Sequence, residues 1–397
     1  MTNAVIVDAI RLASGRGKLG GALSGTHPVE MLSHVLRTIV DRNGLDPAQV
    51  DDVIGGCVQQ VGEQALNISR TALLAAGFPE SVPATTIDRQ CGSSQQAAHF
   101  GAQGVIAGAY DIVIACGVES MSRIPMGTSS MGQDTGGAGI AARYPEGLIH
   151  QGISAELISA KWKLDRETLD AYSAQSHQRA AAAIAAGAFD KEIVPINVTN
   201  SAGESVTHTV DETVRTTTTA EGLAGLRPSF RTDEFAARFP DAPWQITPGN
   251  SSPFTDGASA VLIMSEEMAN KLGLTPRARF HSFSVVGDDP MLMLTAPIPA
   301  THKVLAKAGL SIDDIDAYEV NEAFAPVPLA WAHEFGADPA KLNPLGGAIA
   351  LGHALGSSGT RLMTTLLNHL ETTGGRYGLQ TMCEGAGMAN ATIIERL

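Results

Sequence analysis

Two stretches of the chain repeat the same features in the same order. Asp52-Val-Ile-Gly-Gly-Cys57 resembles Asp316-Ala-Tyr-Glu-Val-Asn321, each an acidic entry into a strand. Thirty-five residues after Cys57 comes Gly92-Ser93-Ser94 at the start of a helical pattern, and thirty-five after Asn321 comes Gly356-Ser357-Ser358 at the start of another. Each helical pattern is followed by an apolar run ending in cysteine, Cys116 in one case and Cys383 in the other. Strand, crossover helix and second strand make a βαβ unit. The repeat therefore predicts a duplicated βαβ unit with a long insertion near 121–248. Active sites of such open sheets form where strand ends and helix starts converge.

The rest of the chain fits an α/β pattern, with short apolar runs alternating with amphipathic stretches. Strands are expected at Ala4–Val7, Val53–Cys57, Ile112–Cys116, Ala260–Met264, Ala317–Val320 and Leu379–Cys383. Helices are expected at Pro28–Arg42, Ile68–Ala76, Gln95–Ala107, Ala300–Ala308 and Gly359–Leu370. Ser154–Gly187 is almost wholly helical in pattern, with a break near Leu164-Asp165 and Asp165 as the N-cap of the second helix. Met126–Ile140, rich in Gly, Ser and Met, is expected to be a loop, as are Thr216–Thr219 and Thr247–Ser252.

Composition narrows the function. A formal net charge of −14 with no Lys/Arg block argues against nucleic acid and anionic membranes as partners. An anionic cofactor could still bind a local patch or a helix N-terminus. With 397 residues and 44% hydrophobic content, the chain can bury a large interior. No stretch has the apolar length of a membrane span. Cys57, Cys91, Cys116 and Cys383 have neither disulfide-framework nor metal-site spacing. The opening residues read as a buried strand rather than a signal peptide. These features predict a soluble, cytoplasmic protein.

Cys91 sits in Asp88-Arg-Gln-Cys91-Gly-Ser-Ser at the turn into a helix. Unpaired N–H groups and the helix dipole there favour a thiolate, so a lowered thiol pKa is expected. The bland alternative is a small hydrophobe at a tight turn. His353 lies among five glycines in Gly346-Gly-Ala-Ile-Ala-Leu-Gly-His353-Ala-Leu-Gly-Ser-Ser-Gly359. A histidine on so flexible a loop suits a base that must reach a thiol; a capping histidine is the alternative. Asn321, at a strand end, could orient water or substrate, although turn chemistry alone would explain it. Cys383, before glycines near the C-terminus, taken alone reads as structural. Cys57 and Cys116 read as core or supporting residues.

Together these segments resemble the thiolase family nearly end to end. Cys91-Gly-Ser-Ser, Asn321-Glu-Ala-Phe, Gly352-His353-x-Leu-Gly and Cys383-x-Gly-x-Gly occur in the thiolase order at thiolase-like spacing. His150-Gln-Gly-Ile-Ser-Ala-Glu, Gly249-Asn-Ser-Ser252 before Asp256-Gly-Ala, and Ala296-Pro-Ile-Pro-Ala fit as well. The resemblance implies a five-layered αβαβα fold of two similar halves with an inserted loop domain. Residues 1–120 with 249–269 would form the half carrying the nucleophile. Residues 121–248 would cover the site, and 270–397 would carry the histidine and second cysteine.

It also implies reversible, ping-pong acyl transfer between CoA thioesters: cleavage of 3-ketoacyl-CoA by CoA, or condensation of two acetyl-CoA. Cys91 would carry the acyl group, His353 would activate it, and Cys383 would be the acid/base at the α-carbon. One oxyanion would be held by His353 and a water on Asn321, the other by the N–H groups of Cys91 and Gly385. Ser252 and His150 would contact the pantetheine arm, Arg215 the nucleotide end, and Met293 the acyl end. No metal or permanently bound cofactor is expected, and a homodimer or homotetramer is. A non-catalytic carrier on this scaffold would have lost one of Cys91, His353 and Cys383. A carrier-protein-dependent synthase would have little use for a second cysteine. The motif around Cys91 is more similar to bacterial thiolases of fatty-acid or sterol side-chain degradation than to the short biosynthetic type.

The sequence departs from the family pattern in two places. Ala354 follows His353 where proline is usual, and Ala386 stands where the C-terminal motif commonly has glycine. Gln90 and Glu384 are polar variants near the site.

Overall fold

In the computed structural model, which describes residues 2–200 and 203–397, the strands are β1 (Ala4–Arg11), β2 (Gly15–Arg16), β3 (Asp52–Gly56), β4 (Ala84–Ile87), β5 (Ile112–Ser120), β6 (Ile196–Thr199), β7 (Ser205–His208), β8 (Thr255–Ser265), β9 (Ala278–Gly287), β10 (Ala317–Val320), β11 (Tyr377–Glu384) and β12 (Met388–Arg396). The α-helices are α1 (Pro28–Arg42), α2 (Ile68–Ala75), α3 (Ser93–Ile106), α4 (Gly137–Arg143), α5 (Gln151–Trp162), α6 (Arg166–Ala185), α7 (Ala220–Ala224), α8 (Asp233–Arg238), α9 (Glu266–Lys271), α10 (Pro297–Ala308), α11 (Pro326–Phe335), α12 (Ala348–Leu351) and α13 (Ser358–Thr373).

The expected duplication is visible in the pairing. β3 and β5 lie parallel around the crossover that contains α3, and β10 and β11 lie parallel around the one that contains α13. Each unit then continues antiparallel, β5 into β8 and β1, and β11 into β12 and β9. The complete order is β10-β11-β12-β9-β1-β8-β5-β3-β4, with β2 on β8 and a separate β6–β7 hairpin. The two halves meet at β1 and β9 through only Val5–Arg279 and Ile6–Ala278.

Side-chain alternation explains the layers. On β1, Val5 and Val7 face a core shared with Leu32 and Leu36 of α1, while Ala4 and Ile6 face the opposite core. That opposite core holds Ala98 and Ala102 of α3 with Met363, Leu366 and Leu370 of α13, and is bounded by residues of both halves such as Val261 and Ile394. A third core lies outside the second half, where Val304 of α10 and Trp331 of α11 cover Leu379 and Ile393. Helix, sheet, helix, sheet and helix follow one another, with α3 and α13 in the middle. Strands covered on both faces read as continuous apolar runs, and β8 is buried over its whole length.

Ser154–Gly187 is two helices, α5 and α6, and Asp165 caps the second by accepting from the Thr168 N–H at 2.8 Å. One expectation fails: Met126–Ile140 is not all loop, since α4 begins at Gly137. Among the described residues, no helix is long and apolar enough to cross a membrane.

Candidate active site

Cys91 stands at the entrance to α3, in a turn where Gln90 adopts a left-handed φ of 47°. Ser93 ties this turn together: its Oγ accepts from the Arg89 N–H at 2.9 Å and donates to the Gln90 carbonyl at 2.6 Å. The expected lowering of the thiol pKa is not found. Burial, and next the Glu384 carboxyl, push the Cys91 thiol up to about 12, and its own backbone N–H offsets only part of this. A helix entrance cannot make a thiolate when the sulfur is dry and its charged neighbours are acidic. Cys91 therefore rests as a thiol and needs a base.

His353, the base the sequence suggests, is packed rather than mobile. Its loop is not flexible: the side chain is only 4% exposed, and its backbone N–H donates to Thr255 Oγ1 at 2.9 Å. Gly352, at φ 86°, lets the loop press on Thr255, where a Cβ would come within 2.6 Å of Oγ1. His353 Nδ1 lies 2.6 Å from Ser358 Oγ, and that hydroxyl donates onward to the Ala354 carbonyl. Ser358 Oγ must then accept from the ring, which puts the proton on Nδ1 and leaves Nε2 as the acceptor nitrogen. Asn321 Nδ2 donates to that nitrogen at 3.3 Å. Burial, with the Arg361 charge adding to it, lowers the imidazole to about 3, so the ring is neutral at any working pH.

The remaining expected residues gather here. Cys383, near the end of β11, is fully buried. Burial pushes its thiol well up, and Cys91 is the strongest neighbouring charge on it, so the two sulfurs share one environment. Asn321 Oδ1 is buried without a protein partner, which fits an acceptor for a bound water. Gly385 follows β11 beside Gln90, whose Oε1 would lie 2.9 Å from a Cβ there. Ala386 adopts φ 66°, the left-handed geometry that explains why glycine is common at this place in the family.

A cleft of about 470 Å³ leads down to His353. Its floor includes Met121 and Leu355, which pack with Cys91 in one apolar cluster. His150, Ser252 and Arg215 line it as expected, and Arg215 is the one Arg or Lys among its lining residues. His150 stacks on Phe230 at 5.4 Å between ring centroids. Met293 is not part of the lining: it is buried in the apolar core that also holds Cys383 and Phe324. Among the described residues no group of His, Cys, Asp and Glu is arranged to hold a metal ion.

Two buried carboxylates that shape the site went unread in the sequence. Glu119 on β5 accepts from the N–H groups of Val58, Gln59 and Gly356, fastening the loop of one half to the other. Glu322 accepts from Tyr172, Ser176, Asn343 and the Ile349 N–H, holding the segment ahead of His353. Their signal was an acidic residue in or just after an apolar strand, which has a place only where donors converge.

Comparison with known proteins agrees with this geometry. Residues 4–267 match the thiolase N-terminal domain and residues 274–396 the thiolase C-terminal domain. The whole chain is 50% identical to a steroid 3-ketoacyl-CoA thiolase of Mycobacterium tuberculosis, covering 95% of that protein. It is 44% identical to a 3-ketoacyl-CoA thiolase of Aliivibrio salmonicida, with both chains covered completely. The crystal structure of the Bacillus anthracis acetyl-CoA acetyltransferase superposes with a TM-score of 0.89 at 38% identity, covering 100% of this chain and 99% of that one. The fold and site are those of a CoA-dependent acyltransferase. The chain belongs to the thiolase family.

Proposed function

We propose that this thiolase cleaves 3-ketoacyl-CoA with CoA, and runs the reverse condensation, through an acyl group carried on Cys91. The observation that carries this reading is the neutral His353 at the floor of a cleft lined by Arg215, whose Met121 and Leu355 pack against Cys91. As Cys91 Sγ attacks the 3-keto carbon, its proton passes to His353 Nε2. The bond between the keto carbon and the α-carbon breaks, and Cys383 gives its proton to the departing α-carbon, releasing acetyl-CoA. The CoA thiol then gives its proton to the Cys383 thiolate and attacks the acyl carbon; the bond to Cys91 Sγ breaks, and His353 returns its proton to Cys91. The buried, unpartnered Asn321 Oδ1 supports a water-held oxyanion site, and Gly385 supplies an N–H for the second. Coenzyme A and acyl-CoA are substrates in this scheme; nothing need be permanently bound.

Ser252 and His150 would hold the pantetheine arm and Arg215 a phosphate, because they line the cleft. Met293, buried in the same apolar cluster as Cys383, would border the acyl end. We divide the chain into 1–120 with 249–269, 121–248, and 270–397, the middle unit covering the cleft. The names of the relatives favour degradative thiolysis, including bulky acyl groups. We place the enzyme in the cytoplasm, in keeping with its four free cysteines. A homodimer, or a tetramer built from dimers, is supported by β4, a terminal strand of the main sheet whose outer edge has no strand partner.

The test is brief incubation with acyl-CoA followed by peptide mass measurement. One acyl mass should appear on the peptide containing Cys91; a stable adduct on Cys383 with Cys91 bare would overturn the scheme. Turnover of acetoacetyl-CoA against longer and ring-bearing 3-ketoacyl-CoA substrates then sets the substrate range.

A further inference from the structure

Glu384 follows Cys383 and ends β11, so strand alternation sends its side chain to the opposite face from the Cys383 thiol. That face looks onto the start of α3, where a Cβ on Gly92 would lie 2.1 Å from Glu384 Oε1. The carboxyl is fully buried, and neither oxygen has a hydrogen-bond partner among the described residues. The turn before α3 presents Asp88, Arg89 and Cys91 to this region, and the Arg89 and Asp88 charges act on the carboxyl in opposite directions. From β12, Asn390 Nδ2 lies near the same point, 2.8 Å from that Gly92 Cβ position, and donates to the Gly92 carbonyl at 3.0 Å. Met388, opposite Glu384 on β12, brings no charge. A carboxylate here would be dry and without donors, whereas the neutral acid carries no such penalty.

We propose that Glu384 is a positioning residue for acyl transfer: it stays protonated beside the start of α3, and Cys91 yields its proton readily only while it does. This rests on reading Cys91 as the nucleophile. Glu384 neither gives nor takes a proton in the step; the Cys91 proton still goes to His353. Its part is electrostatic, since an ionised Glu384 adds a negative charge beside the forming thiolate. In agreement, burial pushes the carboxyl up to about 8, and Glu384 is the strongest of the charges that raise the Cys91 thiol.

The test is the rate of Cys91 alkylation by iodoacetamide in the full-length enzyme from pH 6.5 to 9.5, read by peptide mass. It is run beside the pH profile of kcat/KM for thiolysis of acetoacetyl-CoA. In the parent enzyme, log rate against pH should fall below unit slope near pH 8; unit slope throughout overturns the proposal without any variant. Glu384→Gln, or Glu384→Leu if the first does not fold, should match the parent within about threefold at pH 6.5. At pH 9.5 it should react roughly tenfold faster or more, one pKa unit at the thiol being a factor of ten. The alkaline limb of kcat/KM should move up with it. A loss uniform across pH would make Glu384 merely structural and overturn the proposal. If acyl-CoA leaves no acyl group on Cys91, the functional reading fails, while the alkylation comparison still decides whether Glu384 governs this thiol.

Discussion

Each catalytic side chain depends on a neighbour the motif does not name. In the proposed scheme His353 acts as a base, and Ser358 fixes its tautomer while burial keeps it neutral. His353→Ala removes that base and a donor to the first oxyanion. kcat/KM for thiolysis should fall by at least the roughly 10²–10⁴-fold of a lost general base, with the folded structure kept by circular dichroism. A loss below about tenfold would make the histidine structural. The position of Cys91 at a helix entrance was legible from its Gly-Ser-Ser helix start. Its protonation state was not, because the burial and the Glu384 carboxyl that raise its pKa come from strands nearly three hundred residues away.

The elements show where local pattern suffices. α1 was readable residue for residue, since Met31, Leu32, Val35, Leu36 and Ile39 recur at helical spacing on one buried face. β9 and β12 were missed. β9 alternates buried and half-exposed residues through Arg279, His281 and Ser282, and so lacks an apolar run. β12 opens on Met388-Ala-Asn-Ala, which reads as loop until its pairing with β11 is known. α3 and α13 cross closely near the site: a Cβ on Gly359 would lie 2.1 Å from the Gln95 backbone nitrogen. Gly359→Ala should therefore destabilise the protein by about 3 kcal/mol in urea unfolding. Gly225→Ala, where a Cβ meets nothing within 4 Å, should change it by less than about 0.5 kcal/mol. Equal effects of the two would show that the helices can separate without cost.

At the scale of the whole molecule, buried titratable groups set how stability changes with pH. Glu319 and Glu384 are both pushed up to about 8 by burial, so the folded state keeps protons that the unfolded chain releases above pH 4.5. Their contribution is fully present below that pH and is lost as pH rises through 8. His99 and His353, lowered to about 3 by burial, act in the opposite sense: their stability is present above about 6.5 and is lost as pH falls. Between pH 6.5 and 8 the histidine contribution is largely complete and the carboxyl effect is the larger of the two. The free energy of unfolding should fall there by about 2 kcal/mol for each of the two carboxyls, and Glu384→Gln should remove about half of that slope. Urea titrations at pH 6.5 and 8 measure it; a parent enzyme equally stable at both would show that these carboxyls are ionised in the folded state.

The sequence by itself determined the α/β class, the duplicated strand–helix–strand unit, the family, and the identity of the residues that gather at the site. Those properties are local: periodicity, helix starts, glycine loops and the order of short motifs. The tertiary structure alone decided that Cys91 rests as a thiol, that His353 is packed and neutral, that Met293 is buried in a cluster with Cys383, and that Glu119, Glu322 and Glu384 are buried near these residues. These follow from burial and from long-range neighbours, and the free energy of a charge depends on the water removed around it and on donors that no short stretch of sequence contains.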